Sequence, residues 1–236
     1  MVIKIKKPVF VLNMFVLSVI MAVILFDLLS SAIHTLNLDN LSQKVSIIID
    51  PGHGGKDGGG EAPDGTYEKN LNLDISLKLR QLFNISGFNT VMTREDDSST
   101  DGTGKFNKRK DILNRIKLIE KQENGVLISV HLNKFSDSQY SGAQFFYTID
   151  NPKGRIMAET LQEFVKTYLQ PDNNRSAKPI PNSVFLFKKV KLPAVLAECG
   201  FLSNPLELSL LKTDDYRMKM AIILYLGIQK YISYED

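Results

Sequence analysis

The chain has 236 residues, of which 43% are hydrophobic and 23% charged, enough for one substantial domain with its own core and hardly enough for two. Its formal net charge is +3, and Lys4, Lys6 and Lys7 against Asp27 account for most of that excess, so the rest of the chain is nearly neutral. That balance lacks the basic stripe that binding nucleic acid requires, and a single cysteine, Cys199, rules out an intrachain disulfide.

The three lysines precede an apolar run over residues 9–26, broken only by Asn13 and Ser18. As a helix this run spans roughly 27 Å, close to the hydrocarbon core of about 30 Å. Lysines on its N-terminal side place the N-terminus in the cytoplasm and everything after the run outside. Ser30-Ser31-Ala32 supplies the small residues of a cleavage site, so the segment reads as an uncleaved anchor or as a signal peptide, and its length favours the anchor. Either reading exports the remainder of the chain. The expected organisation is a membrane segment at 1–33, a polar linker at 34–44 and a folded domain at 45–236. His34 falls in the linker as a solvated residue.

Within the domain, Val45–Asp50 is a short β-branched run ended by Pro51-Gly52, which predicts a buried strand. A glycine-rich loop covers 52–65, and a helix is expected from Glu68 to Phe83. A strand at 87–93, a polar loop at 96–107 and a helix at 108–122, with Ile112, Leu113, Ile116 and Ile119 at helical spacing, come next. Strands are predicted at 125–131, 143–148, 184–187 and 194–198, with helices at 155–169 and 218–231. Helices alternating with uniformly apolar strands argue for an α/β domain with a largely parallel, covered sheet. Sites in such sheets gather at the C-terminal strand ends, where His53, His131 and Glu198 fall.

Two histidines at equivalent edges of one sheet can converge on a metal, although either alone is usually structural or incidental. Glu68 offers a third ligand, or merely a favourable charge at a helix N-terminus. The glycine loop fits neither nucleotide fingerprint, because Gly55-Lys56-Asp57 supplies no Gly-Lys-Ser/Thr and a charged pair interrupts the glycines. Glycines there let the backbone turn tightly beside a metal and leave room for a bulky substrate. Glu198, at the end of an apolar strand, is costly to bury unless paired, hydrogen-bonded or near a metal, and at a zinc site it would be the natural general base. Cys199 reads as a small buried hydrophobe.

The stretches Ile49-Asp50-Pro51-Gly52-His53-Gly54-Gly55, Glu68-Lys69-Asn70, Thr93-Arg94, Ile128–Asn133 and Pro193–Asn204 occur in the order and spacing of one known family. Together they resemble the zinc-dependent N-acetylmuramoyl-L-alanine amidases of the amidase-3 branch, over about residues 45–232. The resemblance implies a twisted sheet of about six strands flanked by helices. It implies one Zn2+ per chain held by His53, Glu68 and His131, with Glu198 as the catalytic glutamate. Arg115 and Asn133 match an arginine and an asparagine of the family and are expected to position substrate or loops. The implied reaction is cleavage of the amide between N-acetylmuramic acid and L-alanine in peptidoglycan. The short single-domain form resembles the sporulation-associated members, which implies spore cortex as substrate and muramic-δ-lactam as the eventual product. The domain departs from many relatives at Lys117–Glu120 and at Cys199. Alternative readings are a zinc exopeptidase acting on free peptides, and a partner-dependent cell-wall-binding protein with weak activity. The expected partners are peptidoglycan, the membrane through the N-terminal helix and an activating protein.

Overall fold

A computed structural model describes residues 21–25, 45–102, 105–181 and 184–234. The chain divides after Leu41 into two units. Of the first, only residues 21–25 are described, and they are helical. Most of the apolar run at 9–26 lies outside the described residues, and no helix among the described residues is long and apolar enough to cross a membrane.

The second unit is a single α/β domain. Its strands are β1 (Ser46–Pro51), β2 (Thr90–Met92), β3 (Gly125–Asn133), β4 (Gln144–Tyr147), β5 (Lys178–Pro179) and β6 (Ala194–Phe201). They form one six-stranded sheet in the order β2-β1-β3-β6-β4-β5. All neighbouring pairs are parallel except β4 with β6. The helices are α1 (Glu68–Ile85), α2 (Lys108–Glu120), α3 (Pro152–Tyr168), α4 (Pro205–Leu211) and α5 (Asp214–Ile232). From β1 the chain runs to β2 on one side and then crosses to β3 on the other. The carboxyl ends of β1 and β3 therefore flank a topological switch point, where open α/β sheets form clefts.

Because side chains alternate across a strand, the apolar strands bury both faces. Helices α1, α3 and α5 cover one face. On the other, Ile48, Leu127 and Leu196 meet Ile116 and Ile119 of α2 together with Leu186 and Phe187. Residues 184–187, expected as a strand, carry instead a 3-10 turn at Leu186–Lys188. An apolar tetrapeptide has no periodicity that distinguishes strand from turn, and here packing decides: Leu186 and Phe187 plug the sheet face that the short α2 leaves open. The strand that does form nearby, β5, is two exposed residues including a proline, tolerable only at a sheet edge.

Helix starts obey local chemistry. Asn107, Asn151 and Asn204 each accept a backbone N–H of the first turn, and α3 and α4 begin with proline. The short α4 has no counterpart among the sequence-based expectations. Tyr67, before α1, gives no side-chain cap. The first amides of α1 donate instead to the glycine loop, Glu68 N to Gly60 O at 2.8 Å and Lys69 N to Gly58 O at 3.2 Å. The loop thus caps the helix that carries Glu68.

Candidate active site

Strand register brings the predicted residues together. His131 of β3 is the direct neighbour of Glu198 of β6, and Pro51 of β1 pairs with Val130, two residues before His53. Glu68 enters from the start of α1. One donor atom each from His53, Glu68 and His131 lies within 4.8 Å of the others. The two imidazole rings stand edge to face, 4.9 Å between centroids.

Glu68 joins them. Its Oε2 is 3.3 Å from His53 Nε2 and its Oε1 is 3.0 Å from His131 Nδ1. The same carboxylate accepts from Gly60 N at 2.8 Å, Leu132 N at 3.1 Å and Asn72 Nδ2 at 3.0 Å. Burial opposes ionisation of Glu68, but the hydrogen bonds and charge of the two imidazoles outweigh it and hold the carboxyl well below its usual range. Burial likewise opposes a proton on His53, yet hydrogen bonds to Asp57 and Glu68 raise it to about 9. Donors in a tetrahedral zinc site, bonded at about 2.0–2.2 Å, stand about 3.4 Å apart. The 3.3 Å between His53 Nε2 and Glu68 Oε2 fits that spacing.

Glu198 stands apart from this hydrogen-bonded set. Its Oε2 is sealed from solvent and has no hydrogen-bond partner among the described residues. Burial, reinforced by the charge of Glu68 and opposed by His131 and His53, raises its pKa to about 7. A buried carboxylate oxygen without a protein partner is expensive unless a cation or a proton-bearing ligand shares the site. Both that orphaned oxygen and the His-Glu-His donor set fit a bound divalent metal. Cys199, next in the chain, is fully buried, and burial pushes its thiol well up, as befits an inert core residue.

The glycines prove necessary for a reason not apparent in the sequence. A Cβ on Gly52 would stand 2.3 Å from His131 Cε1, and one on Gly59 would stand 2.6 Å from both Glu68 Oε2 and His53 Cδ2. The loop backbone is packed directly against the three side chains. His53 itself has φ 62°, a left-handed conformation costing a non-glycine residue about 1–2 kcal/mol.

Two buried arginines hold that conformation. Arg115 of α2 pairs with Asp50 at 2.9 Å and with Asp111 at 2.9 Å, and donates to Pro51 O at 2.7 Å and to His53 O. Arg94 donates to Pro51 O at 3.0 Å, Gly52 O at 2.9 Å and Lys69 O at 2.9 Å. Burial and the neighbouring Arg115 charge lower Arg94 to about 10. The guanidinium of Arg115 is thus engaged by protein groups and is hydrogen-bonded to the His53 loop. Asn133 ends β3 after a register shift, and its carbonyl accepts from Leu202 N at 2.8 Å. Asp50, Asn72 and Ser129 have supporting roles that sequence reasoning missed. Asp50 accepts from Ser129 Oγ at 2.6 Å and Thr93 Oγ1 at 2.5 Å. The signal for Asn72 is a polar residue one turn after Glu68 on the buried side of α1.

Above these groups lies a cleft of about 290 Å³ with Asp50, Ser129 and His131 in its lining and Ile112, Phe185 and Leu186 along an apolar wall. The fold and the sequence are matched in known proteins. Residues 47–230 match the Amidase_3 family, N-acetylmuramoyl-L-alanine amidase. The chain belongs to that family. The germination-specific N-acetylmuramoyl-L-alanine amidase of Bacillus subtilis (strain 168) is 36% identical over 197 residues, 82% of this chain and 81% of that protein. Among solved structures, the CwlD amidase from Clostridioides difficile, in complex with the GerS lipoprotein, superposes with a TM-score of 0.77 at 41% identity, over 80% of this chain and 99% of that one. An N-acetylmuramoyl-L-alanine amidase from Clostridium difficile 630 gives a TM-score of 0.70 at 27% identity, over 82% and 99%. The activity is accordingly that of a peptidoglycan N-acetylmuramoyl-L-alanine amidase.

For this amidase, Asp50→Asn removes one of the two counter-charges of buried Arg115, leaving Asp111, and is expected to lower stability in urea unfolding by about 1.5–3 kcal/mol. In the unmodified protein burial raises the Asp50 carboxyl, but Arg115, Ser129 and Thr93 outweigh it and hold it below its usual 3.8. Its stabilising contribution is therefore complete above about pH 4 and is lost as pH falls further, so the urea midpoint of Asp50→Asn should depend less on pH in that range. Gly52→Ala is expected to weaken divalent-metal binding about tenfold or more by displacing the His131 ring, with an unchanged circular dichroism spectrum. Competition with a chromophoric chelator measures it.

Proposed function

We propose that this amidase is a zinc enzyme that releases stem peptides from peptidoglycan, with spore cortex as the substrate that leads on to muramic-δ-lactam. His53, Glu68 and His131 hold the metal, and the observation carrying the reading is their convergence beside the unpartnered carboxyl of Glu198. The 36% identity to a germination-specific amidase supports the cortex assignment. When bound, zinc acts as a Lewis acid on the amide carbonyl and on water.

The chain's own residues supply the rest. Glu68, fixed by Gly60, Leu132 and Asn72, keeps both imidazoles oriented. Arg94 and Arg115 hold His53 in place through the loop carbonyls. The Glu198 carboxyl, poised near neutrality, takes a proton from the attacking water and returns it to the departing alanine nitrogen. The apolar wall of Ile112, Phe185 and Leu186 restricts water on one side of the cleft.

Likeness to an amidase solved in complex with a lipoprotein supports a protein partner for this chain as well. The lysines before the apolar run at 9–26 support an extracytoplasmic location with the N-terminal segment as anchor.

Mass spectrometry of cortex peptidoglycan treated with the full chain is expected to find zinc-dependent release of peptides beginning with L-alanine. Products cleaved elsewhere, or free peptides consumed in preference, would replace this reading with the exopeptidase one. Glu198→Gln should retain one zinc per chain by elemental analysis while turnover falls about 10²–10⁴-fold. His131→Ala should lose the metal, and full zinc content in that variant would remove His131 from the ligand set.

A further inference from the structure

A second groove, of about 540 Å³, opens between the glycine loop at Glu61–Pro63 and the segment after β3 at Lys134–Ser138, with Ser203 at its end. It borders the metal-binding residues. The point where a Cβ on Gly60 would stand is 3.3 Å from Lys134 Cβ and 3.5 Å from Glu68 Oε2. Lys134 is exposed, and among the described residues it enters no ion pair. Glu61 is exposed on the opposite wall. Phe135, 46% exposed, packs edge-on against Tyr140 and Phe201, which stiffens this wall. Phe135 N donates to Ser203 Oγ at 3.1 Å, tying the two ends of the groove together.

The two clefts leave the centre in different chemical characters. The first has an apolar wall of Ile112, Phe185 and Leu186, and its two cations, Lys108 and Arg115, are paired with Asp57 and with Asp50 and Asp111. The second carries a lysine, a glutamate and several serine hydroxyls. The substrate also has two arms diverging from the scissile amide. The glycan arm is uncharged next to the bond, whereas the stem peptide carries free carboxylates beyond L-alanine. An exposed cation beside the centre is matched to the charged arm, since a carboxylate in a partly enclosed groove forms an ion pair with it that a neutral sugar cannot.

We propose that this groove is the subsite for the acidic stem peptide and that Lys134 is a specificity-determining residue, receiving the free carboxylate of the residue after L-alanine. The inference rests on the amidase reading and assigns which side of the centre the peptide occupies.

The test is a cycle of two substrates and two enzymes, full chain with zinc throughout. One substrate is an N-acetylmuramoyl tripeptide with a free carboxylate on its second residue, and the other is the same compound with that carboxylate converted to a carboxamide. The unmodified enzyme is expected to prefer the carboxylate about tenfold in kcat/KM, chiefly through KM. Lys134→Gln should reduce that preference to less than about twofold, and Lys134→Glu should reverse it. Equal preference in the Lys134→Gln variant and the unmodified enzyme overturns the proposal, as does an equal loss on both substrates, which would give Lys134 a structural or glycan-facing role. If the unmodified enzyme cleaves neither compound yet releases no L-alanine peptides from cortex either, the amidase reading itself fails. Because each substrate controls for the other, a partly destabilised variant still yields a ratio.

Discussion

The contact on which the active site depends is the buried ion pair between Asp50 and Arg115. Asp50 ends the apolar part of β1, where a carboxylate is costly, and Arg115 comes from a helix that begins more than fifty residues later. Each is almost wholly buried, so each needs the other. Having paired with Asp50 and Asp111, Arg115 still has donors left, and these reach the carbonyls of Pro51 and His53. Arg94 grips the same turn from the other side. The pair therefore does more than neutralise charge. It converts the end of a strand into a fixed left-handed turn that aims an imidazole at Glu68.

A second layer of order comes from Glu68. Two oxygens serve two imidazoles, two backbone amides and one asparagine, which leaves its carboxylate little freedom. Glu198, opposite His131 in the sheet, is the counterpoint, without a donor on Oε2 among the described residues. Environment separates the two carboxyls, one held far below its usual range and the other raised to about 7. A strongly anionic carboxylate suits a permanent metal ligand, and one near neutrality suits a group that must accept and release a proton within a cycle.

Much of this was legible in the sequence, because His53, His131 and Glu198 sit at or just past strand ends, which are easy to find, and Glu68 opens a helix. Apolar runs stopping at Pro51-Gly52, at His131 and at Glu198 marked three edges of one sheet. Element boundaries mostly moved by a few residues: β6 runs on to Phe201 and α5 begins at Asp214. What sequence could not supply was tertiary. Val184–Phe187 has strand composition, but the gap beside α2 claims two of its side chains. The glycines were readable as a tight turn, though not as surfaces on which His131 and Glu68 lie, since that requires knowing which side chains arrive there. Arg115 was visible as a candidate without its partners, because Asp50 lies sixty-five positions away.

The sheet order has a consequence for how the enzyme comes into being. The strands that carry the site, β1, β3 and β6, are adjacent in space but far apart along the chain, and every pairing between them is parallel and non-local. Such pairings close long loops before any contact repays the lost entropy, so they form late and slowly. His131 finds Glu198 only once β6 has zipped onto β3. A nascent or truncated chain ending before residue 194 thus has two imidazoles and lacks Glu198. On the role proposed for Glu198, hydrolytic competence would arrive only with the last strand of the central sheet.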